Sequence, residues 1–412
     1  MSSQLKNILH LIFLFFFTLF LIHSNIIQNF RLFGDYFTTI RWLECNSLGI
    51  NLFSEGGHID CEDGDGDKIN YGYAFLSIPY NDTLSIFYKI YLPYILIFLI
   101  IYLTVKIINP NSKLEVFLLY LAILNPSTIF LFQRLNLDCV VFIVAILIVL
   151  NRFYFINWFL GIYLALIKVY PIILLINIFI ENKERSIQKI FSILLIIGML
   201  SIIYLYIYKE SYIFFLQNFN YNGTSYHFLF SLNSIPKILK YVFDFNYIFL
   251  LFIFYSLFII LIIKFYKKIN SENNYLKNEI YTYESKFFII GGYLTLFIFM
   301  LTSNYFYKEV FLILLIPYIF KIRNTYQSKL FNILIFIFII KYLYSFIYAY
   351  INLNDGNYYI NGQRIFSNQF LITIFLKSLI DYILMIIVSI LLFIKTKIYI
   401  NDKFKVALNN SF

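Results

Sequence analysis

The chain is a succession of apolar runs of membrane-spanning length, and its positive charge collects in the short connectors between them. Those positions are Lys6, Lys106 and Lys113, Arg152, Lys183 with Arg185 and Lys189, Lys264 through Lys286, Lys321 with Arg323 and Lys329, and the tail from Lys395 to Lys405. With 61% hydrophobic and 13% charged residues over 412 positions, such a chain has too little polar surface to wrap one soluble core. It reads as an all-α, polytopic helical membrane protein. A net charge of +10 spread over connectors, rather than along one stripe, speaks for membrane topology and against nucleic acid as a partner. The 22% aromatic content is no argument for a ligand platform, because Phe, Tyr, Ile, Asn and Lys are raised together in the manner of a coding bias.

If every basic connector faces the cytoplasm, the number of crossings between consecutive connectors is even. The apolar run from Trp158 to Ile180 is long enough for one straight helix, but a single crossing would put Lys183, Arg185 and the later connectors up to Lys286 on the wrong side. Two short half-helices broken at Lys168-Val169-Tyr170-Pro171 restore the parity. Proline lacks a backbone donor and disfavours helix at the preceding residue, and carbonyls freed at membrane depth need protein or a cavity around them. On this basis the membrane segments are expected at Ile8 to Ile27, Ser85 to Ile108, Leu114 to Phe132, Cys139 to Leu150, Tyr154 to Ile167, Pro171 to Ile180, Ile190 to Tyr208, Tyr247 to Phe265, Phe287 to Ser303, Val310 to Phe320, Leu330 to Tyr350 and Phe370 to Ile394. That gives about 11 to 13 segments, some of them short or broken.

Residues 1–412 are expected to form a single integral membrane domain with both termini cytoplasmic. Residues 28–84 are its first outer loop. No small-residue cleavage pattern follows the first span, only His23-Ser24-Asn25, so that span is expected to be a retained anchor.

Cys45 and Cys61 share the first outer loop, and a disulfide between them is expected, whereas Cys139 lies in an apolar run as a small core residue. The run Asp60 to Lys68 spaces Asp63, Asp65 and Asp67 like a calcium loop. It has Lys68 where the turn needs glycine and Ala74 where a bidentate Glu belongs, so it reads as a solvated acidic turn. His10, His23, His58 and His227 show no zinc spacing, and no phosphate-binding glycine loop is present. Neither a metal nor a cofactor is expected.

Parity brings a set of polar groups to one level near the outer membrane surface. They are Asp35, Arg41, the turn holding Arg134, Asn136 and Asp138, Lys168 with Tyr170, and the stretch Asn304, Tyr305, Tyr307 and Lys308 that ends at Glu309. Interfacial cations suit a phosphate headgroup and stabilise a phosphate leaving group, and a carboxylate suits deprotonation of an attacking hydroxyl. Asp35 is the candidate base and the other residues are candidates for substrate binding. Blander readings stand beside these: Asp35 as a helix cap or as a partner of Arg31 or Arg41, Arg134 with Asp138 as a structural pair, Lys168 snorkelling to the interface, and the 304–308 stretch bonding between helices.

Four stretches resemble the C-type membrane glycosyltransferases, and among them glycosyltransferase family 87. Gly34-Asp35-Tyr36, with Trp42-Leu43 and Asn51-Leu52-Phe53, resembles the family's first outer loop with its acidic residue. Asn125-Pro126 and Arg134-Leu135-Asn136-Leu137-Asp138 resemble its Pro-then-Arg-Gly-Asn-x-Asp stretch, with Leu135 in place of glycine. Gly161 followed by Lys168-Val169-Tyr170-Pro171 resembles its Lys-x-Tyr-Pro helix end. Asn304-Tyr305-Phe306-Tyr307-Lys308 with Pro317 resembles its late Asn-x-x-Tyr segment.

The resemblance implies a polyprenyl-phosphate-linked sugar donor, a hexose by expectation, transferred with inversion to a lipid or glycan acceptor on the outer face of the cytoplasmic membrane, with Asp35 as base. Two other functions share the general features. A lipid-linked polysaccharide polymerase or ligase would be expected to carry a late, arginine-rich outer loop. A transporter or flippase without chemistry would be expected to carry paired broken helices.

Overall fold

A computed structural model describes residues 3–24, 32–53, 61, 71–151, 153–180, 187–211, 213, 229–272, 276, 282–301, 304–355, 358–360, 363–365 and 367–409. The protein is helical and membrane-embedded. Among the described residues, six helices are long and apolar enough to cross a bilayer: Gln4–His23, Asp82–Ile108, Tyr247–Ser271, Tyr283–Met300, Lys329–Ile351 and Asn368–Asn401. A seventh candidate is the pair Lys113–Leu124 and Pro126–Arg134, which meet the same test together and are bent by 43°, as in a broken span or a re-entrant loop. Several other expected segments take different forms. Asp138–Leu150 and Phe155–Ile167 are shorter apolar helices, whereas the expected Ile190 to Tyr208 segment coincides with the helix Ile187–Ile207. Pro171 to Ile180 is mostly 3-10 helix, and Val310 to Phe320 begins as one.

The chain divides into two compact units. The first comprises Met1–Phe30, Ile101–Leu131 and Asn222–Tyr399; the second comprises Arg31–Ile100, Phe132–Tyr221 and Ile400–Phe412. The helices used below are α1 (Ser3–His23), α2 (Gly34–Ser47), α3 (Asp82–Ile108), α4 (Lys113–Leu124), α5 (Pro126–Arg134), α6 (Asp138–Leu150), α7 (Tyr154–Ile167), α8 (Ile187–Ile207), α9 (Ser234–Phe243), α10 (Tyr247–Glu272), α11 (Tyr283–Leu301), α12 (Ile316–Tyr326), α13 (Lys329–Asp355) and α14 (Asn368–Asn409).

The bend between α4 and α5 follows from Asn125-Pro126. Asn125, before a proline, is extended, as the ring of the following residue requires. Its side-chain oxygen then accepts from the backbone N–H groups of Ser127 and Thr128 at 2.9 and 3.2 Å, which caps α5 with proline at its first position.

In the second unit, α7 stops at Lys168, whose backbone is extended, and the chain re-enters as a 3-10 helix at Tyr170–Ile176 with Pro171 in its first turn. The chain folds back on itself here. A Cβ on Gly161 of α7 would stand 3.3 Å from the Leu175 side chain and 3.7 Å from that of Leu174. The loop before α3 joins this hairpin through the Gly72 N–H, which donates to the carbonyl of Ile167 at 2.8 Å. A disulfide joins Cys45 at the end of α2 to Cys61, while the rest of the acidic run from Asp60 to Lys68 lies outside the described residues. Cys139 is a buried free thiol.

In the first unit, α11 carries adjacent glycines that let two neighbours approach closely. A Cβ on Gly291 would fall 2.4 Å from Leu314 Cβ in the 3-10 helix Phe306–Leu315, and one on Gly292 would fall 2.8 Å from Leu392 of α14. Two short antiparallel ladders accompany the helices. Strand β1 (Leu229–Phe230) pairs with β2 (Asn304–Tyr305), and β3 (Tyr358–Ile360) pairs with β4 (Gln363–Ile365).

Valine at Gly291 collides with the Cβ of a neighbouring leucine and not with a flexible side-chain tip. Gly291→Val is therefore expected to destabilise the protein by about 1–3 kcal/mol, read as a lower thermal midpoint in detergent. Gly198→Val, in α8 where nothing lies within 4 Å of the added carbon, is expected to leave that midpoint nearly unchanged.

Candidate active site

The candidate site is assembled in the second unit from two joints in the backbone. Helix α5 ends at Arg134, and the next residue, Leu135, takes the left-handed conformation (φ 48°), as the residue just past a helix C-terminus often does. Glycine is the usual occupant, and this is the position at which the resembled family carries one. Here a leucine adopts the turn and is 2% exposed. The left-handed turn costs a non-glycine residue about 1–2 kcal/mol, a figure that burial of a leucine side chain, about 1.5–3 kcal/mol, offsets.

The second joint is Phe33, also left-handed (φ 57°), immediately before α2. Its N–H donates to the carbonyl of Gln133 at 2.5 Å. Of the five non-glycine residues with positive φ among the described residues, Asn109, Asp244 and Gln327 follow ordinary helix ends. Phe33 and Leu135 instead flank the polar residues of one site, where strained backbone tends to concentrate.

The two joints aim Asp35 and Arg134 at each other. One Asp35 oxygen accepts from the Arg134 guanidinium in a short contact, and the other accepts from Asn136 Nδ2 at 3.2 Å. The Asn136 carbonyl oxygen faces the opposite way, where it accepts from Lys168 Nζ at 3.0 Å. Lys168 Nζ also donates to Asp138 Oδ1 at 2.9 Å, and the Tyr170 hydroxyl donates to that same oxygen.

The result is a continuous row, Arg134, Asp35, Asn136, Lys168, Asp138 and Tyr170, with Asn136 as its hinge. Its charges alternate and sum to zero, and exposure falls along it. Arg134 and Asp35 side chains are 31% and 20% exposed, Lys168 is 15% and Asp138 is 0%. Both carboxylates lie in the first turn of a helix, Asp35 in α2 and Asp138 in α6, where the helix dipole favours negative charge.

Tyr71 completes this row from the segment before α3. It is buried, its hydroxyl is 3.5 Å from Asn136 Oδ1, and Lys168 Nζ lies 5.6 Å from its ring centroid, with the Tyr170 ring at 5.4 Å. Lys168 is thus held between two aromatic faces, an arrangement that stabilises a cation. Burial pushes the Tyr71 phenol well above its ordinary pKa, and the carboxylates of Asp138 and Asp35 add to the shift, so Tyr71 is a neutral hydrogen-bond donor at physiological pH. No sequence signal singles it out among 38 tyrosines.

Of the residues expected from sequence, the structure gathers Asp35, Arg134, Asn136, Asp138, Lys168 and Tyr170. Asp35 pairs with Arg134 and not with Arg41, and Asp138 pairs with Lys168 and not with Arg134. Arg41 stands apart. Six residues along α2 from Asp35, a step of about 240° around a helix, it forms an ion pair with Glu44 at 3.1 Å, which Lys89 also approaches at 3.5 Å. Asn304, Tyr305, Tyr307 and Lys308 belong to the other unit. There Asn304 and Tyr305 form β2, and Tyr307 packs its ring 5.7 Å from that of Phe130. Among the described residues, no group of three or more His, Cys, Asp or Glu side chains is placed to share a metal ion.

A second polar centre, in the first unit, was not anticipated. Glu309 of the 3-10 helix, Lys341 of α13, and Lys377 and Asp381 of α14 form a closed square in which each lysine meets both acids. Lys341 reaches Glu309 at 3.1 Å and contacts Asp381, and Lys377 reaches Glu309 at 2.6 Å and Asp381 at 2.9 Å. Every member is at most 5% exposed, and the Phe230 ring lies 5.1 Å from Lys341 Nζ. The signal for it was present in the sequence. Lys341, Lys377 and Asp381 are charges inside apolar spans, which are costly without a partner, and Lys377 and Asp381 share one helix face at a spacing of four.

No protein-family model, curated protein or solved structure matches the chain.

Lys341→Met leaves the buried square with one uncompensated negative charge and is expected to cost about 3–5 kcal/mol of stability. Combining it with Glu309→Gln restores neutrality and is expected to recover most of that loss. Denaturant or thermal unfolding in detergent measures both, and a double variant as unstable as the single one would refute the neutrality argument.

Proposed function

We propose that the protein is a membrane glycosyltransferase that moves a sugar, a hexose, from a polyprenyl-phosphate donor to a hydroxyl of a lipid or glycan acceptor. On this reading it is a C-type glycosyltransferase of about 11 to 13 membrane segments, counting short and broken ones. It resides in the cytoplasmic membrane, with its termini cytoplasmic and its site on the outer face. The observation that carries the reading is the row in which one asparagine links a partly buried carboxylate, Asp35, to a cation held at a broken helix, Lys168.

The chemistry follows from what each group has left to offer. Each oxygen of Asp35 accepts one hydrogen bond in the row and keeps a further lone pair, so the carboxylate can take the proton of an acceptor hydroxyl as that oxygen attacks the anomeric carbon. The bond from the anomeric carbon to the donor phosphate breaks on the opposite side, which inverts the configuration. Polyprenyl phosphate leaves with the electron pair. Lys168 spends two of its three N–H donors on Asn136 and Asp138, and the Arg134 guanidinium has five. The third Lys168 donor and the positive charge of Arg134 suit a phosphate that gains charge in the transition state. Asp138 and Tyr170 fix Lys168 in place, and Asn136 couples the position of the base to that of the cation.

The buried square of Glu309, Lys341, Lys377 and Asp381 favours a second reading, a carrier without chemistry, because ionisable groups within membrane spans often mark transport paths. Purified protein with a lipid-phosphate sugar separates the two. Release of polyprenyl phosphate identifies a transferase, and translocation without turnover identifies a carrier.

Asp35→Asn is expected to abolish transfer in a protein that is still folded and inserted, and near-normal turnover would remove Asp35 from the role of base. Lys168→Ala is expected to raise the apparent KM for the donor by about tenfold or more, the loss of one charge-assisted phosphate contact, with little effect on that for the acceptor. Equal effects on both substrates would argue against a phosphate contact.

A further inference from the structure

At the N-terminal end of α1, in the first unit, a cavity of about 340 Å³ opens between that helix and the turn entering α4, lined by Lys6, His10, Asn111, Ser112 and Lys113. The carboxylate closest in sequence, Glu115, is fully engaged elsewhere. Its Oε2 accepts from the N–H groups of Asn111 and Ser112 at 2.6 and 3.2 Å, and its Oε1 accepts from Asn324 Nδ2 at 2.9 Å. His10 is oriented by a 3.0 Å hydrogen bond between its Nδ1 and the Tyr120 hydroxyl. Among the described residues, no carboxylate pairs with Lys6 or Lys113. The cavity therefore presents two ammonium groups without a carboxylate partner among the described residues and an imidazole, beside the Asn111 amide and the Ser112 hydroxyl.

The surroundings select the kind of anion. From the mouth of this cavity, α1 runs away with Leu5, Ile8, Leu9, Ile12 and Phe16 each 47% or more exposed. A polar, cationic cup thus continues into an apolar helix face. A phosphate ester bearing acyl chains satisfies both halves at once, with the headgroup between Lys6 and Lys113 and the chains along α1. We propose that this cavity is a headgroup site for an anionic phospholipid, separate from the glycosyl-transfer site. Inorganic phosphate offers the same oxygens to the lysines but nothing to the apolar face.

Native mass spectrometry of the full chain in detergent tests this, with titrations of phosphatidylglycerol, phosphatidylcholine and inorganic phosphate. Phosphatidylglycerol is expected to stay bound under conditions that strip phosphatidylcholine. Lys6→Gln with Lys113→Gln is expected to weaken its retention by roughly tenfold or more, the effect of two interfacial cations. The charge-preserving pair Lys6→Arg with Lys113→Arg should retain it. A control with the same charge loss, Lys264→Gln with Lys267→Gln on the exposed side of α10, should also retain it. Equal retention of the two lipids, an unaffected glutamine pair or equal loss in the control would overturn the site. Inorganic phosphate bound as tightly as phosphatidylglycerol, with the same sensitivity to the glutamine pair, would overturn its assignment to a lipid. All four lysines are exposed, and a thermal midpoint for each variant verifies folding.

Discussion

A carboxylate with no exposure to water is tolerated only beside donors that replace its hydration, and Asp138 is such a group. Its oxygen is held by the Lys168 ammonium and the Tyr170 hydroxyl, and this requirement dictates the local architecture. Lys168 and Tyr170 must point back at the start of α6, so α7 must end at Lys168 and the chain must reverse there. Once Lys168 is fixed, Asn136 has only one sensible orientation, carbonyl toward the cation and amide toward Asp35. The remainder of the site is arranged outward from a single buried negative charge.

The same physics appears in the first unit in a different form. There four charges on three elements close on themselves with nearly complete burial. Removing any one leaves an uncompensated ion, whereas removing a pair of opposite sign does not. The two networks differ in their relation to solvent. The square is closed, and the row running from Asp138 to Arg134 opens toward water at one end. That difference means that a molecule arriving from solvent can meet the row, whereas the square can serve cohesion without any visitor.

Much of the row could be read before any coordinates. Charge parity and Lys168-Val169-Tyr170-Pro171 located the reversal, and the spacing of Arg134, Asn136 and Asp138 placed three polar side chains on one turn. What could not be read was pairing. Arg41 and Arg134 are equally plausible partners for Asp35 in one dimension, and only the angular offset along α2 and the left-handed turn at Leu135 decide between them. Tyr71 was illegible because a tyrosine in a tyrosine-rich loop carries no mark of its destination. The square went unnoticed for another reason: attention to the loops passed over charges embedded in apolar runs. Apolar length alone does not fix the number of spans, since short helices and 3-10 segments use the same residues as a crossing helix.

Tyr71 and Gly72 change the status of the segment that contains them. One supplies an aromatic wall to the Lys168 ammonium, and the other is stitched to the last carbonyl of α7. The segment that precedes α3 is accordingly a keystone of the polar row and not a cover laid over it. A graft of this loop from another protein would have to bring a matching ring and backbone donor, or the broken helix would lose that support, so sequence change in this segment is steered toward its remaining positions.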